Sequence, residues 1–194
     1  MTGADVRVLI LAAGSSSRMR GRDKLAEPVG GEPLLRRQVR IAQATGRPVT
    51  VALPPAPHPR HALTGDATPL VVPDAAEGMG RSIAAGIARL ADADAVLLLL
   101  GDLPEIETAD LMAVIRAWDG SDAIARGATA DGEPGHPILI PRAAYPDFRA
   151  LRGDDGGRSV VARHRVRLVP LDGSRARLDL DTPEDWARWR ASRT

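Results

Sequence analysis

Between Leu9 and Lys24 the chain reads LILAAGSSSRMRGRDK: an apolar run breaks at Gly14 into three serines and then delivers Arg18, Arg20, Arg22 and Lys24. A strand feeding a glycine turn leaves backbone N–H groups unpaired, and a concave row of such donors suits phosphate oxygens. Arginine adds a planar fork and lysine a compact point charge, which can grip a phosphate chain and neutralise charge developing on it. An ordinary solvated loop is the plain alternative. The G-x-G-x-x-G fingerprint is absent, and the run from Gly14 through Gly21 to Lys24 does not put lysine directly after a second glycine, as a P-loop requires. Phosphate binding is thus a chemical inference here.

Acidic groups follow later in the chain. Ala95 to Leu103 reads AVLLLLGDL, so Asp102 comes straight after the most hydrophobic run, with Gly101 letting the backbone turn. Such a carboxylate either caps a helix or turn near Pro104 or serves as a Mg²⁺ ligand, since magnesium takes few protein carboxylates and completes its shell with phosphate oxygens and water. In Leu178 to Trp186, LDLDTPEDW, Thr182 to Asp185 are explained as a helix start: an N-cap, a proline at the first position and acids in the first turn. Asp179 and Asp181 are not. They alternate on an extended segment and share one side. With Asp102 and a triphosphate between them, they would complete a magnesium site.

Three further segments carry weaker signals. Glu77 to Gly86, EGMGRSIAAG, leads from a turn at Gly78 into a helix bearing Ser82, which either offers N–H groups and a hydroxyl to a base edge or ribose or simply caps the helix. His136, in EPGHP, is a proton carrier or part of a rigid corner. His58 and His61 are three apart, but no helix or third ligand accompanies them, so no metal is expected there.

These groups need elements to position them. Val6 to Ala12, Pro48 to Leu53, Leu70 to Val72 and Ala95 to Leu100 are apolar runs without strict alternation, as in strands buried on both faces. Helical spacing links Leu35, Val39 and Ala42, then Ile83, Ile87 and Leu90, then Leu111, Ile115 and Trp118 behind a cap at Thr108. Alternating strand and helix implies an α/β sandwich with a mainly parallel sheet, whose ligands sit beyond the carboxyl ends of the strands. The Pro54 to Pro59 segment reads as a rigid surface connection. Asp131 to Pro137 and Arg152 to Arg158 read as glycine-rich loops long enough to cover a site.

Composition narrows the classes. The 194 residues suit one domain, and with only 3% aromatics its core must be aliphatic. A net charge of +1, from 26 basic and 25 acidic residues, argues against a general nucleic-acid or membrane surface. The lack of cysteine excludes disulfides, thiolate metal sites and a cysteine nucleophile. No basic n-region precedes the Val6 to Ala13 run, so a cytoplasmic enzyme is expected.

Taken together, LAAGSSSRM, LLGDLP, GMGRSIAAGI, PGHPILI and DLDTPEDW resemble, in order and over nearly the whole chain, the molybdenum cofactor cytidylyltransferase family and its guanylyltransferase relatives. The resemblance implies a Rossmann-like three-layer α/β/α sandwich with a mixed, mainly parallel seven-stranded sheet. It also implies a Mg²⁺-dependent transfer of a nucleoside monophosphate to a phosphorylated small-molecule acceptor, favouring CTP and molybdopterin. Ala12, Ala13 and Gly14, flanked by Leu11 and Ser15, would lie against the nucleotide together with Gly78 and Ser82. Arg18 and Lys24 would hold the triphosphate, and Asp102 the metal, with Asp179 or Asp181 as its companion. Two signals for the base conflict. LAAG is the cytidylyl form, whereas the six-residue step from Arg18 to Lys24 with Asp23 before the lysine is the guanylyl form, and Arg20 replaces the first glycine of both. GTP, other sugar or polyol phosphates, a nucleotide-sugar glycosyltransferase and a non-catalytic nucleotide-binding regulator are the other readings.

Overall fold

A computed structural model describes residues 3–153 and 155–193. In chain order it contains β1 (Val6–Leu11), β2 (Pro28–Val29), β3 (Glu32–Pro33), α1 (Leu34–Gln43), β4 (Val49–Leu53), β5 (Thr68–Val71), α2 (Met79–Arg89) and β6 (Ala95–Leu100). There follow α3 (Thr108–Ala117), β7 (Ile124–Ala128), β8 (Pro134–Pro141), α4 (Tyr145–Arg149), α5 (Arg158–Val161), β9 (Val166–Pro170) and α6 (Pro183–Ala191). Seven strands form one sheet in the order β5-β4-β1-β6-β8-β7-β9, in which β8 runs antiparallel to both its neighbours. This is the mixed, mainly parallel sheet that the motifs imply.

The continuous apolar runs become the sheet centre because both faces are covered. On one face Val8, Ile10, Val51, Leu97 and Leu99 pack with Leu35, Leu111 and Trp186 of α1, α3 and α6. On the other, Leu9, Ala52, Val96 and Leu98 pack with Ile83, Ile87 and Phe148 of α2 and α4. Helix α2 approaches so closely that a Cβ on Gly86 would stand 2.1 Å from Leu9 Cδ2. Strand β1 lies between β4 and β6, so the chain leaves it in one direction and later returns on the other side. Such a switch point opens a crevice at the carboxyl ends of the strands. There the Gly101 N–H donates to the Leu11 carbonyl at 3.0 Å.

Three local expectations are corrected. The Leu70 to Val72 run contributes to β5, an edge strand that is mostly exposed rather than buried on both faces. Helix α3 is capped by Glu107 in a reciprocal pair with Asp110, while the Thr108 hydroxyl bonds the Ile41 carbonyl; Trp118 lies one residue past the helix. The Asp131 to Pro137 segment is a tight turn followed by β8, because the Thr129 N–H bonds the Glu133 carbonyl and strand pairing begins at Pro134. The loop at 152–158, of which Asp154 lies outside the described residues, packs on the start of α2, where the Gly80 N–H donates to the Gly153 carbonyl at 2.9 Å. The start of α6 is as read from sequence, with the Thr182 hydroxyl accepting the Asp185 N–H and Pro183 at the first position.

Candidate active site

A cleft of about 690 Å³ opens at the carboxyl ends of β1, β4, β5 and β6, within the range of small-molecule sites. The turn after β1 supplies Ala12, Ala13, Gly14 and Ser15, with Leu11 at the strand end, then Arg18 and Lys24. The turn after β6 supplies Asp102, the segment before α6 supplies Asp181, and Gly78 and Ser82 come from the start of α2. Gly78 has φ 119° and carries no side-chain cap, a conformation that favours glycine. Ser82 is buried inside the first turns of α2 and is therefore not its N-cap. Asp179, read from sequence as a possible companion of Asp102, does not line the cleft, and neither does His136.

The charges converge on Lys24. Its Nζ donates to Asp102 Oδ2 at 2.5 Å and to Asp181 Oδ1 at 2.7 Å, while Arg18 pairs with the other oxygen of Asp181. Burial disfavours the ammonium, but Asp102 and then Asp181 outweigh it and hold Lys24 above its ordinary value. Asp179 is pushed up, first by burial and then by repulsion from Asp181 and Asp102. Arg20 and Arg22 are turned elsewhere, Arg20 to Glu184 at 2.8 Å and Arg22 to Glu27. The cationic cluster read from sequence is therefore two residues at the cleft rather than four.

The donor set suits a hard divalent cation. Asp102 Oδ1 is buried with no hydrogen-bond partner among the described residues, and a second carboxylate, Asp181, meets the same ammonium. Two carboxylates leave most of a magnesium shell to phosphate oxygens and water. Among the described residues no group of three or more His, Asp or Glu gathers as a metal cage. The His58 ring accepts the Arg60 N–H at 3.3 Å, and the His61 ring meets the Pro54 carbonyl at 2.9 Å.

Two parts of the cleft were not read from sequence. Pro54, Pro55 and His58 after β4, and Pro73, Ala75 and Ala76 after β5, also line the cleft and are mostly apolar. Their signal was placement, since each group directly follows a strand that ends at this edge. Arg60 was also missed. It is only 2% exposed and lies beneath the turn, bonded to Asp23, Ser16 and two carbonyls. His136 lies on β8, partly covered, with its ring Nδ1 sealed from solvent and without a partner among the described residues. No helix among the described residues is long and apolar enough to cross a membrane.

The MobA-like NTP transferase domain model matches residues 8–168. A probable molybdenum cofactor guanylyltransferase of Synechococcus elongatus is 32% identical over 188 residues, covering 92% of this chain and 94% of that protein. The purine catabolism protein PucB of Bacillus subtilis is 27% identical over 193 residues, covering 92% of each. The crystal structure of Rv0371c from Mycobacterium tuberculosis superposes with a TM-score of 0.84 at 30% identity, covering 97% of this chain and 98% of that one. Rv0371c has also been solved in complex with manganese.

Proposed function

From the chain's membership of the MobA-like NTP transferase family, which makes it a nucleotidyltransferase, we propose that it transfers CMP from CTP to a phosphorylated small-molecule acceptor, favouring molybdopterin, and releases pyrophosphate. An acceptor phosphate oxygen attacks the α-phosphorus, that bond forms as the bond to the bridging oxygen of pyrophosphate breaks, and no covalent enzyme intermediate is needed. Catalysis of this kind rests on positioning and charge neutralisation. The observation that carries the reading is the meeting of Lys24, Asp102 and Asp181 at the mouth of an amide-rich turn.

In this reading Lys24 and Arg18 exchange their carboxylate partners for oxygens of the triphosphate. Asp102 and Asp181 would hold Mg²⁺, which when bound neutralises phosphate charge. Leu11, Ala12, Ala13 and the prolines after β4 flank the base, with Ser82 beside its polar edge or the ribose. The methyl of Ala13, on a residue only 7% exposed, narrows the space by the base and favours a pyrimidine.

GTP is the second reading. It is favoured by the likeness to the Synechococcus protein, a probable molybdenum cofactor guanylyltransferase, and by the Asp23-Lys24 pair. A pyrophosphate-release assay with each NTP, Mg²⁺ and molybdopterin or sugar phosphates separates the two. CTP should exceed GTP about 10- to 200-fold in kcat/KM, the range available to shape selection, and Ala13→Gly should narrow that gap. A wild type that prefers GTP would transfer the base assignment to the Arg18 to Lys24 spacing.

A further inference from the structure

Arg60 follows the proline-rich stretch after β4, and in the fold a short helical turn at Pro59–Leu63 drives it under the phosphate turn. All five of its guanidinium N–H groups find acceptors. Nε and Nη2 bond the two oxygens of Asp23, each at 2.7 Å; Nη2 also bonds Ser16 Oγ at 2.9 Å. Nη1 bonds the Ala12 carbonyl at 2.7 Å and the Gly14 carbonyl at 2.6 Å.

The two carbonyl bonds decide which way the turn presents its amides. In a planar trans peptide the C=O of one residue and the N–H of the next point in opposite directions. Holding the Ala12 and Gly14 oxygens down toward Arg60 therefore turns the Ala13 and Ser15 N–H groups up, on the side of the turn that lines the cleft. Neither amide, nor that of Gly14 between them, bonds any described residue. Ser16 closes this arrangement in the left-handed region at φ 52°, unfavourable for a residue with a Cβ. Its hydroxyl is fixed by Arg60 and accepts the Lys24 N–H at 3.4 Å. Asp23, whose carboxyl burial would raise, is instead held low by Arg60, which keeps the carboxylate facing the guanidinium fork.

We infer that Arg60 is a positioning residue that presets the Ala13 and Ser15 amides as an anion cradle and so sets the affinity of the turn for the phosphates of the nucleotide. The inference rests on the reading of this cleft as a nucleoside triphosphate site. Lysine at position 60 would keep the charge, but a single ammonium has too few donors to hold two carbonyls, a hydroxyl and both oxygens of Asp23.

The test is calorimetric binding of CTP, pyrophosphate and cytidine, with Mg²⁺, to the wild type, Arg60→Lys and Asp23→Asn. Arg60→Lys should bind CTP and pyrophosphate about tenfold or more weakly, as expected when charge-assisted bonds are lost, while cytidine affinity holds within about twofold. Asp23→Asn, which loosens the guanidinium but leaves it on the two carbonyls, should show the same selectivity to a smaller degree and serves if Arg60→Lys does not fold. Equal weakening of cytidine and pyrophosphate, or unchanged pyrophosphate binding in the variant that folds, overturns the inference. A wild type that binds neither CTP nor pyrophosphate overturns the parent reading and this one together.

Discussion

His136 gives the fold a pH dependence whose size follows from its surroundings. Burial, reinforced by the Arg126 guanidinium, pushes its imidazole down to about 4, against partial opposition from Asp102 and a bond to the Leu98 backbone. Protonation would add an N–H at Nδ1, which has no partner among the described residues. In the unfolded chain the ring titrates near 6.5, so between the two values the unfolded state binds more protons and stability falls as pH falls. Going from pH 7 to pH 5, the linkage withdraws about 2 kcal/mol, and it saturates at about 3 kcal/mol below the folded-state value. Replacing the ring in His136→Asn removes this contribution while every other titrating group stays. Urea unfolding of both proteins at the two pH values gives the comparison. The wild type should lose about 2 kcal/mol more than the variant. Equal losses would show that the histidine is solvated in the folded state and would refute the argument.

Lys24→Ala should lower kcat/KM for pyrophosphate release about a hundredfold, corresponding to about 3 kcal/mol of transition-state stabilisation. Arg18→Ala acts in the same direction, and because the Arg18 side chain is 70% exposed its melting temperature should barely move; a variant with normal turnover would remove that residue from the mechanism. Asp102→Asn should abolish metal-dependent turnover with the fold retained. Of the late pair, Asp181→Asn should be far more damaging than Asp179→Asn, since only Asp181 lines the cleft and meets Lys24; kinetics showing the reverse order would reassign the metal companion. Gly86→Ala drives a methyl into the buried Leu9 side chain and should destabilise by about 1–3 kcal/mol in thermal melts, and an unchanged melt would mean that α2 moves freely off the sheet.

The strands β1, β4 and β6 were legible because burial on both faces writes a continuous apolar run. Strand β7, reading IARGA, has no such run, and β9, reading VRLVP, is short, interrupted by Arg167 and mostly exposed at the sheet edge, so neither announced itself. The cleft residues were legible where a motif ends a strand at the ligand edge, as at Gly14 and Asp102. Arg20 and Arg60 were misread or missed because their partners lie far along the chain, as in the pairing of Arg20 with Glu184 and the bond from Arg60 to the Ala12 carbonyl, 48 positions away. Arg22 is claimed by Glu27, a neighbour that the fold buries. Local spacing reports a cation but not the carboxylate or carbonyl that claims it.

The central claim, that this cleft moves a nucleoside monophosphate rather than a phosphoryl group or a sugar, is tested most directly by following the label from α- and γ-³²P CTP with Mg²⁺ and molybdopterin. The account predicts that α-label enters the acceptor adduct in step with pyrophosphate release, while γ-label leaves wholly as pyrophosphate. Transfer of γ-label to the acceptor, or its release as orthophosphate, would contradict it.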